Sequence, residues 1–86
     1  MRKGTVVVSA AGHDKGDLMV VIKADGKFAL VVDGKRRLLE KPKRKNMKHL
    51  MKTEHFIELS AYNPLYDAHI LKELKSLLNK GGCCLG

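Results

Sequence analysis

Between Lys35 and Lys52 the chain carries nine basic residues (Lys35, Arg36, Arg37, Lys41, Lys43, Arg44, Lys45, Lys48 and Lys52) against one acid, Glu40. The surplus matches the net +8 of the whole 86-residue chain. Cations this dense repel one another, and a polyanion that neutralises them is the ordinary reason for keeping them. The chemistry they suggest is phosphate binding through a basic surface. With about five contacts, log K would fall with log[salt] at a slope of roughly −3.5 to −4.5. Arg36 and Arg37 can fork onto a phosphate or a guanine edge, whereas the lysines act as point charges. In an extended segment the two arginines point to opposite faces, so one of them reaches the main surface. A solvated basic loop without a ligand is the plainer alternative.

A second candidate contact is the stretch Gly12-His13-Asp14-Lys15-Gly16. Its glycines, Gly12 and Gly16, would let backbone approach a phosphodiester and offer N–H groups, with Lys15 adding charge. Turn geometry alone would explain the same glycines.

Other chemistries find less support. Neither Gly26-Lys27 nor Gly34-Lys35 has the upstream glycine or following Ser/Thr of a nucleotide-binding loop. His49, His55, His69, Cys83 and Cys84 lack paired metal-ligand spacing, so no metal and no cofactor are expected. Ser9, Ser60, Ser76 and the acids form no nucleophile–base–orienter set, and no enzyme is expected. The aromatic residues are Phe28, Phe56, Tyr62 and Tyr66, with no Trp. Phe28 stands in an apolar segment and is assigned to the core. Recognition by backbone and shape is therefore expected rather than base stacking.

The elements that must position these residues are mainly β. Thr5–Ser9, Leu18–Ile22 and Phe28–Val32 read as strands, rich in β-branched residues. Asp25-Gly26 is expected to form a type I′ turn, and Asp33-Gly34 the next turn. Arg36–Leu39 would make a short fourth strand before Pro42, and Met47–Met51 a fifth. Five short strands predict a small barrel. The second and third are apolar at nearly every position, so something must cover part of the outside. The C-terminal segment is the expected cover. Asn63 would cap a helix, Pro64 would take its first position, and Gly81 and Gly82 would end it. Its apolar stripe would be Leu65, Ala68, Leu71, Leu74, Leu77 and Leu78. A stripe docking a partner helix is the functional alternative. Residues 53–62 fit a short strand or a helical turn equally.

With these pieces in order, Gly4-Thr-Val-Val-Val-Ser9, Ala11-Gly-His-Asp-Lys-Gly16, Val32-Asp-Gly-Lys35, Lys41-Pro-Lys-Arg-Lys45 and Lys48-His-Leu50 resemble the KOW-domain RNA-binding proteins. In particular they resemble short bacterial members related to the archaeal and eukaryotic large-subunit ribosomal KOW proteins. The resemblance covers roughly residues 3–52. It implies an SH3-like five-stranded β-barrel that binds RNA on or near the ribosome, with Gly16 as the hallmark loop glycine. His13 stands where the family has Arg, so a permanent charge there is not implied.

The expected organisation is one small unit: a barrel with the basic run over 1–52, and a connector, helix and Gly/Cys tail over 53–86. Residues 1–52 carry 14 Lys/Arg against 5 Asp/Glu, and 53–86 carry 3 against 4. The expected function is non-catalytic RNA binding, through Gly12, Lys15, Gly16, Lys35, Arg36, Arg37, Lys41, Lys43, Arg44, Lys45 and Lys48. Replacing Lys43, Arg44 and Lys45 together is expected to weaken binding and spare the fold. The expected partners are ribosomal RNA and, by the resemblance, ribosomal proteins, with the free chain a monomer. A protein-docking barrel on the transcription or translation machinery is the alternative, and adsorption to anionic membranes a third reading. The adjacent Cys83 and Cys84 cannot staple distant segments and read as reduced thiols. The apolar run after Arg2 and Lys3 is too short for a secretory signal, and a cytoplasmic location is expected.

Overall fold

A computed structural model of the chain describes residues 2–12 and 15–85, the side chains of 78–85 excepted. The elements are β1 (Thr5–Ser9), β2 (Leu18–Asp25), β3 (Phe28–Val32), β4 (Lys43–Asn46), a 3-10 turn at Met47–His49, β5 (Leu50–Phe56), a second 3-10 turn at Leu59–Ala61, and α1 (Asp67–Leu85). The strands form one antiparallel sheet in the order β4-β3-β2-β1-β5. The first three strands fall where their β-branched runs place them.

The remaining elements depart from the sequence reading. Arg36–Leu39 is not a strand: residues 34–37 bend, and a single bridging pair, Leu38–Lys41, comes after them. The fourth strand lies instead in the basic run itself, Lys43–Asn46, laid against Phe28–Val31 of β3. Met47–His49 turns, and the fifth strand starts at Leu50 and takes in residues 53–56. The β2–β3 turn has Gly26 and Lys27 at its centre. Only Gly26 has positive φ, +56°, which suits a type II′ turn rather than type I′.

The sheet is open in its backbone pairing but cannot be flat. β4 and β5 are its opposite edges, which four strand spacings would set about 19 Å apart. Asn46 and Leu50 are separated by three residues, a reach of roughly 14 Å at most. The sheet must therefore curl to bring its edges together.

The three central strands, β1 to β3, bury residues on both faces. Inside, Val7, Met19, Val21, Ala29, Val31 and Leu50 pack as one cluster. Outside, Val6, Val20 and Val32 pack with Ile57, Leu59, Ile70 and Leu74. The expected cover is thus α1 and its connector, and this is why β2 and β3 are apolar throughout. The buried helix positions are Ile70 and Leu74 with Leu77 partly buried, while Ala68 is exposed. Of the expected stripe, Leu74 is buried and Leu65 and Leu77 pack against the cluster, but Ile70, not Ala68, completes it, and α1 begins only at Asp67. Asn63 and Pro64, joined by a cis peptide, precede it. The entry is fixed instead by His69, whose Nδ1 accepts from the Tyr66 N–H at 3.1 Å, half of a capping box. Gly81 and Gly82 lie within α1 and do not end it. The side chains of Leu78, Cys83 and Cys84 lie outside the described residues. No described helix is long and apolar enough to cross a membrane.

Candidate nucleic-acid interface

By register, the β1–β2 loop and the β3–β4 loop leave the sheet at the same end, since Val8 pairs with Leu18, Val20 with Val32 and Val31 with Lys43. The 3-10 turn before β5 crosses between the ends: the Met47 N–H donates to the Lys27 carbonyl at 2.8 Å beside the β2–β3 turn, and the His49 carbonyl accepts from the Ala10 N–H at 2.8 Å beside the β1–β2 loop. The candidate residues on the β1–β2 and β3–β4 loops are therefore gathered at one end of the sheet, with Lys48 on the turn that runs between the ends.

The β3–β4 loop is held from within. Asp33 Oδ1 accepts from the backbone N–H of Lys35, Arg36 and Arg37 at 2.8–2.9 Å. The Asp33 and Gly34 N–H groups in turn donate to the Arg37 carbonyl at 3.0 and 3.1 Å. The loop is also held from outside. Gly34 has φ +78°, and a Cβ there would stand 2.6 Å from the Asp67 carbonyl and 2.8 Å from the Leu71 nitrogen of α1. Asp67 Oδ1 accepts from the Leu39 N–H at 2.7 Å. So a helix start pins both ends of the basic loop, and the side chains of Lys35, Arg36 and Lys41 project from it exposed, with Arg37 half-buried. Lys35 and Arg36 border a cleft against α1 that is also lined by Asp17, Asp33 and Lys75. Lys75 is a cation the sequence reading left aside. Only the docking of helix on loop brings it there, so no local signal could have found it.

In β4 the alternation of a strand separates three neighbouring cations. Lys43 is half-buried and Arg44 is exposed. Lys45 is 7% exposed, with Nζ donating to the Ser9 hydroxyl and to the Ala11 carbonyl, each at 2.7 Å. Lys45 is therefore not a phosphate contact. It reaches from one edge of the sheet to the start of the β1–β2 loop and holds that loop down. A triple replacement that includes Lys45 would not spare the fold.

The β1–β2 loop is also corrected in part. The Lys15 N–H donates to the Gly12 carbonyl at 3.2 Å and the Gly16 N–H to the Ser9 carbonyl at 2.7 Å, so these donors close the turn and are not offered to a ligand. Gly12 and Gly16, at φ +88° and +92°, serve that turn. The Lys15 side chain remains exposed, as does Lys48, whose N–H is held by Asn46 Oδ1 at 3.0 Å. His13 lies outside the described residues.

Phe28 belongs to neither core cluster. It is half-buried on the outer face, and the Arg44 guanidinium lies over its ring 3.9 Å from the centroid. Among the described residues no group of three or more His, Cys, Asp or Glu could hold a metal. No protein-family model and no curated protein matches the chain.

Proposed function

We propose that the chain is a non-catalytic RNA-binding module of the KOW kind, acting in the cytoplasm on ribosomal RNA or the translation machinery. The observation that carries this reading is the gathering of exposed cations on braced connections at one end of the sheet. Lys35, Arg36 and Lys41 stand on a loop whose backbone is fixed by Asp33, Gly34 and Asp67, and Lys15 stands on the neighbouring β1–β2 loop. Held cations lose little conformational freedom on meeting phosphate, which favours a ligand over mere solvation. The order of the Gly-rich and basic motifs supports the family.

The test is the variant Lys35→Ala/Arg36→Ala/Lys41→Ala, titrated with ribosomal RNA fragments at several salt concentrations. Three lost contacts should make the log K–log[salt] slope shallower by about 2 to 3, and weaken binding across sequences. Unchanged affinity and slope would overturn the proposal.

A protein-docking role is the second reading, favoured by the edge strand β5, where Met51 is 61% and Phe56 39% exposed. An apolar interface there would bind a protein with little dependence on salt.

A further inference from the structure

The outer face of the sheet is covered unevenly. Phe28, Leu30 and Val32 alternate onto it, and α1 reaches only Val32, which packs with Ile70 and Leu74. Phe28 and Leu30 are left half-buried beside a cleft of ≈ 180 Å³ lined by Lys23, Asp25, Phe28, Ala29, Leu30 and Arg44. Register sets Lys23, Leu30 and Arg44 side by side across β2, β3 and β4.

We infer that this patch is a stacking site for an unpaired base of single-stranded RNA, a proposal that rests on the RNA-binding reading above. The Arg44 guanidinium lies on the Phe28 ring with 3.9 Å between its central carbon and the centroid, while the residue as a whole is exposed. The cation is thus backed by a ring while the residue keeps surface that a ligand can reach. Among the described residues it meets no carboxylate within ion-pairing distance. The ring also holds the long side chain in place before any ligand arrives, which lowers the entropy lost on binding.

Two properties are thus combined at one place: a flat surface that a base can cover, and positive charge from Arg44 and Lys23 for its phosphate. A nucleotide is the ligand that is both planar and anionic. An acidic peptide would use the charge and leave the plane idle. A duplex would present phosphates only, since its bases are already stacked.

The experiment compares full-length chain and two variants on two probes, an unstructured oligoadenylate and an RNA duplex of equal length. Arg44→Lys keeps the charge and removes the plane, and Phe28→Leu keeps an apolar side chain and removes the ring. Each is expected to weaken oligoadenylate binding about 10-fold, to leave duplex binding within about 2-fold, and to leave the salt slope unchanged. On the unsubstituted protein, the ring proton resonances of Phe28 should shift when oligoadenylate is added. Arg44→Lys is a conservative change at an exposed position, so it remains informative even if Phe28→Leu fails to fold. An equal loss on both probes would make Arg44 a phosphate contact only and overturn the inference. No loss on either would also overturn it, and would leave the patch to a partner such as a protein. If the unsubstituted protein binds neither probe, the RNA-binding reading itself fails.

Discussion

The Lys45 ammonium is nearly sealed from water, and the Ser9 hydroxyl and Ala11 carbonyl supply its close partners at 2.7 Å. Replacing it with Met keeps the bulk and removes both bonds, leaving the Ala11 carbonyl with the Ser9 hydroxyl at 3.0 Å, so Lys45→Met should lower unfolding free energy by about 1–3 kcal/mol, read from the denaturant midpoint. A midpoint equal to that of the unsubstituted chain would show that the lysine bears no structural load. Gly34 is the second such position. Gly34→Ala would force a side chain into the left-handed region, at a cost of about 1–3 kcal/mol, and press its Cβ against the α1 backbone as well. The same unfolding titration checks it, and the basic loop should lose order with the lost stability. Neither role was legible in the sequence. Lys45 directly follows Lys43 and Arg44, and only the pairing of β4 on β3 decides which of the three faces inward. Phe28 was misread for a related reason: an apolar strand announces two buried faces, but not where the helix that covers one of them stops.

α1 binds the outer face through Ile70 and Leu74, and these two positions define its register. Ile70→Ala should cost about 2–5 kcal/mol, whereas Ala68→Glu on the exposed side should stay within about 0.5 kcal/mol. The stripe expected from sequence alone predicts the reverse order at position 68, so thermal melts of the two variants separate the registers. The connector is fastened to the same helix by the Tyr62 hydroxyl, which donates to Glu73 Oε1 at 2.8 Å, and by the Tyr62 ring stacked on His69. The phenol is held above its ordinary 10.0, first by that hydrogen bond, then by burial, then by the carboxylate charge. The folded chain therefore keeps this proton more tightly than the unfolded one. The stabilisation is intact below pH 10.0 and is lost as pH rises above it. In Glu73→Gln the phenolate absorbance titration of Tyr62 should move back toward 10.0. At this scale β1 to β3 were readable from β-branched runs, and the need for a cover from unbroken apolarity. β4 was not, because Lys-Arg-Lys-Asn has little strand propensity and is extended only by its partner strand.

For the molecule as a whole, charge and cover are divided between the two parts of the chain. Residues 1–52 hold the whole of the basic surplus, and residues 57–74 cover the outer face: Ile57 and Leu59 from the connector, Ile70 and Leu74 from α1. The fold class was legible because five short extended segments and one amphipathic helix leave few arrangements. The expected barrel is met only in part: the three-residue connection between opposite edges requires the sheet to curl, but its backbone pairing stays open. The division has a consequence for any fragment. A chain ending at Phe56 retains all five strands and every cation of the basic run, but uncovers Val6, Val20 and Val32, each fully buried in the whole molecule. At about 1.5–3 kcal/mol for each such side chain, the loss is comparable with the entire stability of a domain this small. The fragment should therefore show no cooperative unfolding transition and should aggregate through the bared outer face, while the full chain unfolds in one step tracked alike by circular dichroism and tyrosine fluorescence. A fragment that melts sigmoidally with the strand spectrum of the full chain would mean that the curled sheet stands alone, and that α1 only decorates it.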